Sequence, residues 1–280
     1  MHVADALRGA AGRLAEAGVE QPRRSAELLL AEALGWERVR LITHPEAEIG
    51  AETQARFERD VERRASGEPL QYILGRQEFY GLDFEVGPGV LIPRPETELL
   101  VEQALARLRN GDKVCDVGVG SGAIAVAIAA ERTDVGVFGV DFSRAALNAA
   151  RGNARRHGAR VGLCRSDLLS ALGADKLDMV VSNPPYVAEA ARSELQRELA
   201  FEPQEALFAG PDGLDCYTRL IPQAAHVLKP GGTLLLELGH DSLPGVSAML
   251  EGGKWGPPEV FADLAGIPRV VAVQRLASWA

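Results

Sequence analysis

The chain has 280 residues, 46% of them hydrophobic and 25% charged, with a formal net charge of −9. That is enough apolar material for one large core or two domains. The longest apolar run, AIAVAIAA at 123–130, is far too short for the roughly 20 residues that span a bilayer. The negative charge argues against nonspecific nucleic-acid binding, which needs a basic surface, and residues 1–75 are themselves slightly acidic, with 10 Arg against 13 Asp and Glu. The N-terminus has no apolar signal-peptide core, and its acids argue against a transit peptide. Cys115, Cys164 and Cys216 are isolated. They form no metal pattern, so they read as reduced core thiols of a cytoplasmic protein.

Residues 1–66 read as helical throughout. Val3, Leu7, Ala10, Ala11 and Leu14 recur at helical spacing. A second helix starts near Pro22, a favoured first-turn residue, and Gly35 ends it. A third runs from about Gly50 to Ala65. The expectation is a small bundle of three to five helices over residues 1–68. Residues 69–95 change character: aromatic and β-branched residues dominate, glycines recur, and Phe84 and Val86 alternate with Asp83 and Glu85. That predicts a linking β-hairpin. From 96 to 280, short apolar strands alternate with helices. This pattern predicts an α/β domain with a mostly parallel, Rossmann-like seven-stranded sheet.

VCDVGVGSGAIAVAI (114–128) is strand, glycine turn, helix. Its Gly118-x-Gly120-x-Gly122 spacing differs from the dinucleotide fingerprint G-x-G-x-x-G. The compact form resembles S-adenosylmethionine (SAM) sites, where no pyrophosphate has to be held. Gly118, Val119, Gly120, Ser121 and Gly122 are therefore candidate cofactor contacts, with Asp116 placed to meet the methionine amino group. Asp141, beside Phe142, ends the next strand, where an acid accepts both ribose hydroxyls. Its competing role is the N-cap of the helix near Ser143. Asp167 and Leu168 end the third strand, at the adenine position.

SNPPY (182–186) closes the fourth strand. Two prolines cannot continue a central strand, because proline has no N–H and fixes φ. Open α/β sheets bind ligands at the carboxyl ends of their strands, so this abrupt turn falls beside the expected methyl group. The Asn183 oxygen and the Pro184 carbonyl can each accept one N–H of a planar amino group, and Tyr186 offers a face to stack on. Such a nitrogen is a poor nucleophile, since its lone pair is delocalised. Two acceptors orient it and favour the pyramidal form, which is positioning plus electrostatic stabilisation. Adenine N6, guanine N2 and a side-chain carboxamide all fit this chemistry.

Across nearly its whole length the chain resembles the protein-(glutamine-N5) methyltransferases that modify peptide chain release factors, the HemK/PrmC family. The resemblance rests on residues 69–102 with their LIPRPETE core, on 116–129, 140–154, SNPPYV (182–187) and FEPQEALFAGPDGLDCY (201–217), and on LLLELG (234–239) and DLAGIPRVV (263–271). NPPY alone is shared with nucleic-acid methyltransferases; LIPRPETE joined to a helical N-terminus is far more selective. The resemblance implies a substrate, the glutamine of the Gly-Gly-Gln motif of class 1 release factors. It implies that Asn183, Pro184, Pro185 and Tyr186 hold the amide, with Asn183 also lining the SAM site. It implies that Arg94, Pro95, Glu96 and Thr97 shape a wall of the site and that the helical domain grips the release factor. A monomer with SAM as its cofactor and no metal, nucleic-acid or membrane partner is expected. Val119 departs from the Thr or Cys more usual there, with little effect expected because that position contributes mainly backbone. Two rival readings are a nucleic-acid amino methyltransferase, which needs a basic cleft and a base-flipping pocket, and an inactive scaffold, which would have lost the glycine loop, Asp141 or Asn183.

Overall fold

The N-terminal helices follow from apolar residues spaced three and four apart. A computed structural model describes residues 1–277, so the last three residues of the expected catalytic domain lie outside it. Helix α1 (Val3–Glu16) buries Val3, Ala6, Ala10 and Leu14. Helix α2 (Pro22–Leu34) begins on proline and ends at Gly35, whose left-handed φ of 65° lets its N–H reach back to the last turn. Helices α3 (Arg38–Thr43), α4 (Ala51–Ala65) and α5 (Leu70–Leu74) complete the bundle. Leu29, Leu30, Leu41 and Phe57 fill its core. Residues 70–74 were expected to open the hairpin. They are helical because Leu70, Ile73 and Leu74 fall at helical spacing and pack on that core.

This first unit takes Met1–Arg76 and also a distant piece of chain, Gln196–Phe201. The nearly buried Arg64 guanidinium pairs with Glu198 in that piece and donates to the Glu68 carbonyl at 2.9 Å.

The second unit comprises Gln77–Leu195 and the chain from Glu202 onward. The hairpin itself is short: β1 (Arg76–Phe79) and β2 (Leu82–Glu85) meet at Tyr80 and Gly81, with φ of 52° and 72°. Two consecutive positive φ values make the tight turn that matches strand twist. After a 3-10 turn at Pro95–Thr97 come α6 (Glu98–Leu105), β3 (Lys113–Val117), α7 (Ala123–Glu131), β4 (Gly136–Asp141), α8 (Arg144–Arg156), β5 (Val161–Arg165) and β6 (Leu177–Ser182). Then follow α9 (Asp215–Val227), β7 (Leu228–Glu237), α10 (Leu243–Leu250), β8 (Glu259–Ala262) and β9 (Pro268–Gln274). The seven-stranded sheet runs β5-β4-β3-β6-β7-β9-β8. Its first five strands are parallel, and β9 runs antiparallel to β7. Helix α7 is apolar on every side and buried from Ala123 to Ala129, as a helix packed on a two-sided sheet must be. The strand order reverses between β3 and β6, which opens a crevice at their carboxyl ends.

Candidate active site

A cavity of about 390 Å³ occupies that crevice. Its lining comes from the ends of four adjacent strands: Gly118–Ser121 after β3, Asp141–Ser143 after β4, Ser166–Leu168 after β5 and Ser182–Pro185 at β6. The volume lies in the range of small-ligand sites.

Gly118, Gly120 and Gly122 all have positive φ, at 77°, 53° and 86°. They do different work. A Cβ on Gly118 would meet no atom within 4 Å, so this backbone borders open space in the cavity wall. A Cβ on Gly122 would stand 3.1 Å from Ala150, so Gly122 serves the packing of α7 on α8 and does not line the cavity. The Val119 side chain lies over Gly139, where a Cβ would come within 2.6 Å of it. Ser121 is tied down through its carbonyl, which accepts from the buried Asn153 amide at 2.8 Å, and Asn153 also bonds the Glu85 backbone.

Asp141 is engaged twice: Oδ2 accepts from Gly120 N at 3.1 Å and Oδ1 from Ser143 N at 2.8 Å. Burial, the largest effect, raises its pKa, and these N–H donors oppose the rise. Ser143 is itself the N-cap of α8, its Oγ accepting from Ala146 N. Asp141 is therefore released from that duty and presents its remaining lone pairs to the cavity it lines. Asp116 lies beneath the loop and does not line the cavity. Its Oδ2 accepts from Ala125 N at 3.2 Å, while Oδ1 is buried with no partner. Burial pushes its pKa up to about 7.

Phe142 lines the cavity and is half exposed. Leu168 does so with φ at 50°, uncommon for a non-glycine residue. Asp167 also lines it and pairs with Arg219 at 2.5 Å.

Asn183, Pro184 and Pro185 line the cavity where the chain leaves β6, next to the glycine loop that leaves β3. Asn183 Nδ2 donates to Thr97 Oγ1 at 3.0 Å, which leaves Oδ1 as the free acceptor. Tyr186 is placed otherwise than expected. It does not line the cavity; its ring packs over Gly239, where a Cβ would stand 2.8 Å from Tyr186 Cδ2. Burial pushes its phenol pKa up to about 12. A second loop backs the first: Val187 N donates to Leu207 O at 2.9 Å, and Ala209 N to Val187 O at 3.0 Å.

Arg94 lines the cavity, but its ionic partner is Glu202, not the exposed Glu96. Glu202 is buried and also accepts from Ile92 N at 2.9 Å. Glu96 is absent from the lining. Sequence reading missed two acids, Glu202 and Glu237. The signal for Glu237 was a lone carboxylate in the apolar strand LLLELG.

Comparison with known proteins now adds to this geometry. A family model described as PrmC N-terminal domain matches residues 5–75, and one described as Methyltransferase small domain matches residues 95–213. The release factor glutamine methyltransferase of Koribacter versatilis is 46% identical over 98% of this chain and 99% of its own. That of Geobacter sulfurreducens is 46% identical over 93% of this chain and 92% of its own. Among solved structures, a methyltransferase from Pyrococcus furiosus shares the fold, with a TM-score of 0.52 at 20% identity over 70% of this chain and 90% of that one. With a conserved length, near-half identity and the methyltransferase sheet in place, the chain belongs to the release factor glutamine methyltransferase family.

Proposed function

We propose that this protein transfers a methyl group from SAM to the side-chain amide nitrogen of the glutamine in the Gly-Gly-Gln motif of class 1 peptide chain release factors. The observation that carries the reading is the Asn183 amide. Its NH₂ end is held by Thr97, so its oxygen stands free at the edge of a cavity floored by the glycine loop. The family's names supply glutamine as the amide.

The residues fit the cofactor. The Gly118–Ser121 backbone admits close approach, Asp141 keeps lone pairs for two hydroxyls, and Leu168 and Phe142 give apolar surface for a base. Beneath the loop Asp116 Oδ1 is a buried acceptor with no donor of its own, suited to an ammonium N–H. When bound, SAM supplies an electrophilic methyl group on a sulfonium. The protein's own part is placement: Asn183 Oδ1 and the Pro184 carbonyl accept the two amide N–H groups and turn the nitrogen lone pair towards the methyl. No general base is needed, because the alkylated nitrogen is strongly acidic and gives its proton to water. Pro185 stiffens the loop, and Tyr186 anchors it in the core. Arg94, held by Glu202, shapes the wall on the substrate side. Substrate docking belongs to the helical unit, whose α3 leaves Val39 and Ile42 65% and 62% exposed. The setting is cytoplasmic, in keeping with three free cysteines.

Asp141→Ala is expected to weaken SAM binding by about 1–3 kcal/mol through lost charge-assisted hydrogen bonds. Calorimetry checks this, and unchanged affinity removes Asp141 from the site. The function itself is tested with labelled SAM offered a class 1 release factor, duplex DNA and ribosomal RNA. Label is expected on the release factor alone; label on a nucleic acid alone contradicts the proposal.

A further inference from the structure

The stretch DLAGIPRVV (263–271) contributes nothing to the cavity lining, yet its turn is firmly built. Asp263 N donates to Ile267 O at 2.9 Å and closes the hairpin between β8 and β9, while Gly266 N donates back to Asp263 O at 2.9 Å. Gly266 takes a left-handed φ of 80°, the form of a three-residue hairpin loop that ends on glycine. The Asp263 carboxylate locks the loop: Oδ1 accepts from Ala265 N at 2.9 Å and from Ile267 N at 3.0 Å, and Oδ2 from Arg269 Nε at 2.8 Å. At the tip stands Leu264, 110% exposed. Exposed leucines are ordinary on a protein surface. Turn tips, however, favour Gly, Pro, Asn, Asp and Ser, each for a backbone reason that leucine does not share.

The sheet register places that tip. Ser182, at the end of β6, pairs with Leu236 of β7, and Leu236 pairs with Val271 of β9. Because β9 is antiparallel to β7, its start and the β8–β9 turn project from the same end of the sheet as Asn183 and Pro184. The hairpin continues past the Ser182 row, through Phe261 with Val270 and Ala262 with Pro268, before it turns. Only β7 separates β9 from β6. Neighbouring strands lie about 4.8 Å apart, so β9 stands about 10 Å from β6. An extended peptide rises about 3.3 Å per residue and covers that distance in about three residues. A polypeptide whose glutamine amide sits at Asn183 therefore has a flanking residue within reach of Leu264. The charges at this end of the sheet suit a peptide better than a nucleic acid. Arg269 is engaged by Asp263 and Arg94 by Glu202, so neither is free for a phosphate backbone.

We propose that Leu264 is a substrate contact, on which an apolar side chain of the release factor packs about three residues from the target glutamine. The loop is fixed before the substrate arrives, so the contact costs little ordering of the protein. Leu264 does not line the cavity, so it acts on the binding of the polypeptide and not on methyl transfer. The proposal rests on the protein substrate given above.

The test compares Leu264→Asp and Leu264→Met with the parent, and uses Leu276→Asp as the control. Leu276 is also exposed, at 39%, but it follows the last residues of β9, at the opposite end of the sheet. Turnover is measured on a whole class 1 release factor and on a peptide carrying its Gly-Gly-Gln motif with the flanking residues. Leu264→Asp is expected to raise KM about tenfold for both substrates, the loss of one apolar contact, with kcat and SAM affinity unchanged. Leu264→Met keeps an apolar side chain of similar volume and is expected to hold KM within about twofold of the parent. Leu276→Asp is expected to leave KM as it was. A parental KM in Leu264→Asp, or an equal rise in Leu276→Asp, overturns the proposal. A rise for the whole factor with none for the peptide places the contact away from the glutamine and overturns it too. The parent protein separates the two levels. If it labels the release factor while Leu264→Asp keeps the parental KM, only the contact fails; if it labels neither substrate, the protein-substrate reading fails as well.

Discussion

Asn183→Ala is expected to lower turnover by about 10³-fold while SAM still binds with its normal affinity, the loss being that of one preorganised acceptor at the reacting centre. The split follows from position. Asn183 lines the cavity with its Nδ2 bound to Thr97 and its Oδ1 unbonded, and in the proposed reaction that oxygen meets the substrate nitrogen and not the cofactor. In the proposed reaction its free Oδ1 acts on the nucleophile, whose lone pair must leave conjugation as the new bond forms. That demand arises in the transition state, so the effect falls on kcat and not on ground-state binding. Single-turnover rates and calorimetry on the same sample measure both sides. Near-normal turnover removes Asn183 from the reaction, and lost SAM binding makes it a cofactor residue instead.

The second large effect is expected at Gly213, which the sequence shows only as one glycine among 30. Its φ is 77°, and a Cβ there would stand 2.3 Å from the Tyr186 carbonyl oxygen, which is backbone and cannot swing away. Gly213→Ala therefore adds steric overlap to left-handed strain and is expected to cost about 3 kcal/mol. Because the displaced atoms belong to the loop carrying Pro184 and Pro185, turnover should fall with stability. Gly231→Ala is the control: φ is 80°, but a Cβ there would meet nothing within 4 Å. Strain alone should cost about 1 kcal/mol, with turnover retained. Thermal unfolding and turnover of the pair measure the difference. Equal losses in the two variants contradict the assigned contact.

Much of the fold was legible because it is locally encoded. Strand lengths, the glycine turn and the apolar α7 announce a parallel sheet, and the order of motifs along the chain places the cavity. Pro22 and Gly35 mark the two ends of α2. What could not be read is set by partners distant in sequence. Residues 196–201 join the helical unit although they lie within the catalytic part of the chain, and no local pattern reveals that. Strand β8, at the exposed edge of the sheet, carries little apolar signal in the sequence. The same limit applied within the site. Asn183 and Asp141 stand out by motif position. That Arg94 pairs with Glu202, 108 residues away, depends on a buried carboxylate that resembles any surface acid in the sequence. Tyr186 was given a ligand-facing role because tyrosine suits stacking; Gly239 offers its ring a closer neighbour in the core.

The proposed activity is decided by where the methyl group goes. A class 1 release factor would be methylated by the full-length protein with labelled SAM, then digested and sequenced by mass spectrometry, beside the same factor with its Gly-Gly-Gln glutamine changed to alanine. A single added methyl is expected on that glutamine side chain and none on the altered factor. A methyl on any other residue, or equal labelling of both factors, would contradict it.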